Sequence, residues 1–379
     1  MRIFVTGLRG FPDIPGGIET HCASIYPLIA KKGASVRVAR RRQYVTSSTA
    51  VPGIEFVDIW SPKTSSLETI VHTFLSVFHA FFWRADILHI HAIGPGIFVP
   101  MAKLLGLKVV FTHHGPDYER QKWGKAAKWV LRLGEQLACR WSNQCIAISK
   151  PIQALIKENT QAEAALILNG TPPARRTEST EFIGSYGLTP QSYFLCVARF
   201  VPEKGLHDLV TAFTQTNSAG YLVIAGDDNY ETTYSKDIKS LAKKNLNIII
   251  TGYVTGSPLT ELFSHAKGFI LPSYHEGLPI ALLEAMSFGL DPLVSDIEAH
   301  KQVPLHKSCF FKLGDISDLA KKIEMKSSTQ KPDMNEVQLK ELVSKYYNWD
   351  IIAKQTYVLF QRTARIVHAM KKHSSIDGE

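Results

Sequence analysis

The chain has 379 residues, 45% hydrophobic and 20% charged, which suits a packed protein of about two domains and excludes disordered and fibrous classes. Its five cysteines, Cys22, Cys139, Cys145, Cys196 and Cys309, are scattered with no C-x-x-C pair, arguing for reduced core residues over metal or redox roles. Net charge is +9, all of it in the first half: residues 1–190 carry 22 Lys and Arg against 13 Asp and Glu, the remainder 21 against 21.

The opening RIFVTG is too short an apolar stretch for a cleavable signal peptide, so a cytoplasmic address is expected. Strands are expected at RIFVTG, SVRVAR, IEFVDIW, ILHIHAI, KVVFTHH, QCIAIS and ALILN, then at YFLCVARF, GYLVIAG, NIIITGY, GFILPS and PLVSD. Helix-length patterns separate them, which predicts parallel βα units. The fold class is therefore α/β, with two doubly wound, Rossmann-like domains facing a cleft. Expected boundaries are 1–172 and 193–348. A polar, Pro- and Gly-rich linker would run over 173–192, and a C-terminal helix over 349–379, N-capped by Asp350 and packing back on the first domain.

After the first strand comes GLRGFPDIPGGIETH, where Gly16 and Gly17 precede a helix whose free N–H groups suit an anion such as phosphate. A plain structural turn is the alternative, since neither G-x-G-x-x-G nor GxxxxGK[ST] is present. The apolar run Thr69–Trp83, broken by His72 and His79, is too short to cross a bilayer and reads as a buried helix. His113 and His114 follow a strand and could reach a cleft. Next, Lys125, Lys128, Arg132 and Arg140 recur at helical spacing, with Trp129, Leu133 and Leu137 on another face. That pattern fits either an anionic membrane surface or a solvated basic face.

In the second half, VARFVPEKG places Arg199 and Lys204 in a strand-to-helix loop, where two cations can neutralise a diphosphate or remain ordinary surface charge. GDDN, residues 226–229, is expected to cap the helix after it. In PSYHEGLPIALLEAMSFG, Pro279 suits a first helical turn, with Glu276 just before it and Glu284 within it. Two carboxylates among apolar residues suit sugar or ribose hydroxyls, or else a cap and a surface ion pair. No D-x-D, H-E-x-x-H or spaced Cys/His set occurs, so no metal is expected at the site. The basic charge has no interleaved aromatic motif, and nucleic acid is not an expected partner.

Taken in order, PGGIETH, FTHHGPDYERQKWG, ISKPI, VARFVPEKG, TGYV, PSYHEGLPIALLEAMSFG and VSD resemble the retaining glycosyltransferases of family 4, over nearly the whole chain. The opening motifs also resemble a subgroup with bacterial rhamnosyltransferases of polysaccharide assembly. The resemblance implies the GT-B fold. It also implies transfer of a hexose or deoxyhexose, rhamnose a candidate, from a nucleotide diphosphate sugar to a glycan or polyprenyl-linked saccharide. No other cofactor and no metal are implied.

By position in the motifs, Arg199 and Lys204 hold the diphosphate, Glu276 the donor sugar and Glu284 the ribose. Gly16, Gly17, Gly252, Tyr253, Gly277, Leu278 and Pro279 line the donor. His114 is the active-site histidine, with Glu19, His113 and Asp117 as acceptor-side candidates. Asp291 in GLDPLVSD departs from the pattern and puts packing in doubt. Surface polysaccharide synthesis, O-antigen or capsule, at the inner face of the cell membrane would be the setting. A non-catalytic sugar-nucleotide-binding or scaffold protein of the same fold is the alternative.

Overall fold

The structure, a computed structural model, describes residues 1–45, 49–64, 67–120, 123–216, 220–228, 231–328 and 334–374, with side chains as far as 365. Gln121 and Lys122 of the basic stretch and Asn229 of GDDN lie outside the described residues. The chain divides into two units, Met1–Asn169 with Trp349–Glu379, and Gly170–Asn348.

The first unit runs β1 (Arg2–Thr6), α1 (Gly17–Ala30), β2 (Ser35–Arg41), β3 (Ile54–Ile59), α2 (Leu67–Phe82), β4 (Ile87–His91), α3 (Val99–Leu104), β5 (Val109–His113), α4 (Lys125–Trp141), β6 (Gln144–Ala147), α5 (Lys150–Thr160) and β7 (Ala165–Leu166). Among the described residues these strands make a seven-stranded sheet, β3-β2-β1-β4-β5-β6-β7, parallel throughout. Strand order reverses between β1 and β4. Right-handed crossovers then put α1 on one face and α2 to α5 on the other, which explains why β4 and β5 are buried along their whole length.

The second unit runs α6 (Glu181–Gly184), β8 (Tyr193–Val197), α7 (Leu206–Gln215), β9 (Tyr221–Ala225), α8 (Thr233–Ala242), β10 (Ile248–Gly252), α9 (Gly256–His265), β11 (Gly268–Leu271), α10 (Ile280–Ser287), β12 (Pro292–Ser295), α11 (Glu298–Lys301), β13 (Phe310–Phe311), α12 (Ile316–Ser328) and α13 (Glu336–Tyr346). Its described strands form a six-stranded sheet, β10-β9-β8-β11-β12-β13, again parallel, with the reversal between β8 and β11. The last helix, α14 (Trp349–Ser374), returns to the first unit. There Tyr357 Oη donates to the Lys32 carbonyl at 3.2 Å and Lys108 Nζ to that of Ala364 at 2.8 Å. Asp350 lies in its first turn rather than capping it.

Four further expectations need correction. The segment 173–192 is no free linker: the Ser179 hydroxyl and the Ile183 N–H both donate to Glu261, each at 2.9 Å. It also reaches His265, whose carbonyl accepts from Gln191 N–H, so the segment is fastened to α9. GDDN does not cap α8, because Thr232 and Ser235 form a capping box there, while Asp227 pairs with Lys239 at 2.9 Å. Asp291 does not disturb packing, since it pairs with Lys326 at 2.5 Å.

The apolar run Thr69–Trp83 is helical as α2 but only half-buried. His72, Thr73, Ser76, Val77 and Ala80 face inward, and Leu67, Ile70, Phe74, Phe81 and Phe82 are exposed. The inversion has a local cause. Thr73 and Ser76 donate to the carbonyls one turn back, at 2.8 and 2.7 Å, so these small hydroxyls are satisfied inside the helix and can be buried.

Candidate functional site

In the second unit the loops after β8 and β11 meet at the strand reversal, the usual ligand position of an open parallel sheet. Gly205 holds them together. Its φ is 64°, and a Cβ there would stand 2.2 Å from the Pro272 carbonyl oxygen. Only glycine allows so close an approach in this conformation. Tyr274 N–H donates to the Glu203 carbonyl at 2.9 Å and its hydroxyl to Asp208 at 2.6 Å. Lys204 is thereby carried to Glu276, Nζ to Oε1 2.5 Å.

The Ser273 hydroxyl donates to the same Glu276 oxygen at 2.7 Å. Behind it, Ser295 Oγ donates to the Ser273 carbonyl at 2.5 Å, and His300 Nδ1 to that of Ser295 at 2.8 Å. Burial alone would raise the Glu276 pKa, but Lys204, His300 and Ser273 overcome it and hold the carboxylate below its ordinary range.

Glu284 contrasts with it. Pro279 is the N-cap of α10 and the helix starts at Ile280, which puts Glu284 on its second turn. Burial raises its pKa to about 7, and among the described residues its carboxyl has no hydrogen-bond or ion-pair partner. Arg199 is half-buried two residues beyond β8. Leu278 is buried beside the half-buried Gly277, whose carbonyl accepts from Gln302 Nε2 at 3.4 Å. Gly252 ends β10 and accepts from Gly226 N–H at 2.8 Å, with Tyr253 beyond it 53% exposed. The structure thus brings Lys204, Glu276 and the Gly205 loop together and sets Gly252 and Tyr253 two strands away from β8.

In the first unit Gly16 is the N-cap of α1 with φ 154°, and no side chain caps this helix. A Cβ at Gly16 would stand 2.0 Å from Glu19 Oε2. Glu19 is buried and accepts from the Arg9 N–H at 3.0 Å and from Arg9 Nε at 3.2 Å, so it braces the glycine loop. His113 is held within its own unit. It is fully buried, and its Nε2 donates to Glu135 at 2.8 Å while Nδ1 accepts from Gly115 N–H. Asp117 is half-buried and paired with Arg120 at 2.8 Å.

His114 heads an assembly that the sequence reading did not name. His91 Nδ1 meets His114 Nε2 at 2.9 Å, and His91 Nε2 meets the Tyr26 hydroxyl at 2.6 Å. That hydroxyl meets His89 Nδ1 at 2.7 Å, and His89 Nε2 meets Thr112 Oγ1 at 2.7 Å. The signal was present in ILHIHAI, since alternate residues of a strand share a face.

Beside them, Asn169 Oδ1 accepts from His21 Nδ1 at 2.9 Å. Burial, with the neighbouring imidazoles, holds His89, His91 and His114 well below the ordinary histidine range, and burial lowers His21 to about 4. These rings are neutral at pH 7. His21, His91 and His114 each offer a nitrogen within 4.8 Å of the others, so this cluster, with no carboxylate in it, is where three neutral ligands could reach a small cation.

Two family models match the chain, one to each half. Residues 15–175 match Glycosyltransferase Family 4 and residues 179–336 match Glycosyl transferases group 1. Among curated proteins the chain is 27% identical over 234 residues to the UDP-Gal:alpha-D-GlcNAc-diphosphoundecaprenol alpha-1,3-galactosyltransferase of Escherichia coli, covering 57% of this chain and 59% of that one. It is 28% identical over 222 residues to the GDP-mannose:cellobiosyl-diphosphopolyprenol alpha-mannosyltransferase of Xanthomonas oryzae pv. oryzae, covering 56% of each. The match thus spans a little over half the length of these relatives. Among solved structures, sucrose-phosphate synthase from Thermosynechococcus elongatus superposes with a TM-score of 0.81 at 19% identity, over 95% of this chain and 98% of that one. This likeness gives the fold, GT-B.

Proposed function

The chain belongs to the family 4 glycosyltransferases of GT-B fold, and from that premise we propose that it transfers a hexose or deoxyhexose from a nucleotide diphosphate sugar, with retained anomeric configuration. The observation that carries this reading is the occurrence of two unlike carboxyls on one loop and helix: Glu276 ionised against Lys204, and Glu284 half-buried, its pKa raised, without a partner among the described residues. A nucleotide sugar supplies what each lacks. Ribose hydroxyls donating to Glu284 would offset the cost of burying its charge. The diphosphate would draw Lys204 and Arg199 onto its oxygens, leaving Glu276 to the sugar's hydroxyls.

As the glycosidic bond breaks, negative charge develops on the departing diphosphate, where the two cations stabilise it without a metal. That same diphosphate takes the acceptor proton, so no enzyme nucleophile is needed. On the first unit, His114 is the sugar-side histidine, presented as a neutral imidazole. Gly16 and Gly17 present the start of α1 to phosphate, and Tyr253 borders the base. The acceptor is a glycan or polyprenyl-linked saccharide, as the two relatives' names suggest, within surface polysaccharide synthesis. The enzyme works there as a peripheral protein at the inner membrane face. Their donors differ, UDP-galactose and GDP-mannose, and rhamnose remains a candidate from the motifs.

Thermal shift against UDP, GDP, ADP and TDP sugars, with magnesium and with EDTA, tests the reading. Stabilisation by one donor class, unaffected by EDTA and lost in Arg199→Ala, is expected. No shift with any donor overturns it.

A further inference from the structure

We propose that His21, His91 and His114 form a binding site for a divalent cation of the zinc class in the first unit. His21 lies on α1, the helix after β1, while His91 ends β4 and His114 follows β5 by one residue. β1 and β4 are the neighbours between which the strand order reverses. The three side chains therefore collect where open parallel sheets hold their ligands.

Their spacing is that of a ligand set. A tetrahedral zinc with Zn–N bonds of about 2.0 Å puts the centres of its imidazole rings about 5 Å apart. Here the three ring-centre separations are 5.0, 5.2 and 5.7 Å, and one nitrogen of each ring lies within 4.8 Å of the others. Two of the rings are also braced from behind, as ligand histidines are. His21 Nδ1 donates to Asn169 Oδ1 at 2.9 Å, which leaves Nε2 bare, and among the described residues that Nε2 has no hydrogen-bond partner. His91 Nε2 is held by the Tyr26 hydroxyl at 2.6 Å, which turns Nδ1 toward His114 Nε2, 2.9 Å away. The one proton in that last contact shifts to the far nitrogen of a ring when a cation takes both, so each imidazole stays neutral.

Imidazoles without a carboxylate select zinc and its transition-metal neighbours over magnesium and calcium, which want oxygen. Three ligands leave a fourth position open to water or an anion. Trp349, its ring centre 5.5 Å from that of His21, is buried with Nε1 lacking a partner among the described residues, and such a donor suits an anionic fourth ligand. A purely structural relay accounts for the contacts of Tyr26, His89 and His91 but not for the bare His21 Nε2 beside them. The cation occupies the imidazole that the proposed reaction turns to the sugar, so zinc should inhibit transfer. That consequence rests on the transferase reading; the site itself does not.

The test is isothermal titration of the untagged chain, stripped with EDTA and dialysed, with zinc chloride and with magnesium chloride, and its visible spectrum with cobalt chloride. One equivalent of zinc bound, no magnesium bound, and cobalt d–d bands far stronger than those of the aqueous ion are expected. Asn169→Ala, which frees the His21 ring, should weaken zinc binding about 10- to 100-fold. His21→Gln and His114→Gln should weaken it at least as much, and melting temperatures in EDTA show whether each variant folds. The cobalt spectrum of the wild-type chain reads the site without any variant. No zinc uptake, uptake unchanged in the folded histidine variants, equal uptake of magnesium, or a cobalt spectrum like that of the aqueous ion would overturn the inference. Zinc bound at these histidines with transfer unimpaired would uphold the site and count against the role of His114 in the transferase reading alone.

Discussion

Replacing Glu284 by Gln keeps the shape of the side chain and removes its titration. In the folded chain burial lifts its pKa from 4.5 to about 7. Between those pH values the folded state holds a proton that the unfolded state has released, so stability falls as pH rises, at most by about 1.4 kcal/mol per pH unit. Over that interval the loss amounts to about 3 kcal/mol, and above pH 7 it is constant. The variant carries no such loss. Its stability relative to wild type should therefore climb by up to about 3 kcal/mol between pH 4.5 and pH 7.5. Urea unfolding of both proteins at pH 5, 6, 7 and 8 gives the difference directly, because the other titrations cancel. Nucleotide binding should show the reverse coupling. Ribose hydroxyls favour the ionised carboxylate, so wild-type affinity should rise with pH toward 7 and the variant's should be weak and level. A stability difference that does not change with pH would refute the reasoning.

Lys204→Met leaves Glu276 buried beside Ser273 without its cation. A loss of about 2–3 kcal/mol is expected at pH 8, shrinking as Glu276 becomes protonated on acidification, and melting temperatures at pH 5 and 8 would reveal a constant loss if the pair were unimportant. Gly205→Ala places a Cβ 2.2 Å from a backbone oxygen at φ 64°. It should cost about 2–4 kcal/mol and weaken donor binding, while Gly106→Ala, at φ 78° in open space, should cost about 1 kcal/mol; equal losses in denaturant midpoints would contradict the loop geometry. Five imidazoles, His21, His72, His89 and His91 buried and His114 half-buried, have lowered pKa values, about 4 for His21 and about 3 for His72. The unfolded chain takes up their protons near pH 6.5, so stability should fall as pH drops below that value, with unfolding at pH 5 absorbing as many as about five protons. A stability curve flat from pH 7 to 5 would disprove their neutral burial.

The parallel α/β architecture was legible because buried parallel strands are short β-branched runs and the intervening helices have another period. ILHIHAI, KVVFTHH and YFLCVARF each contain the strand found there and over-run its end by two, one and three residues. Glu276 and Glu284 stood out too, as carboxylates where the pattern demanded apolar residues, and the fold brings Lys204 to the first of them. β13 was not, because two residues, Phe310 and Phe311, carry no periodicity. Other matters were decided only in three dimensions. His113 and His114 are adjacent in sequence, yet one is sealed against Glu135 and the other meets His91, since successive residues at a strand end point to opposite sides. Glu19 was committed to Arg9, ten residues back, and Glu284 is left without a partner among the described residues. The outward face of α2 was hidden for a related reason: hydropathy assigned Phe74 and Phe82 inward, whereas the internally satisfied hydroxyls of Thr73 and Ser76 let that side of the helix be buried and left the larger rings exposed. Sequence determined which elements form, through local periodicity, and tertiary structure decided which polar groups found partners, because hydrogen bonding depends on what the fold brings near.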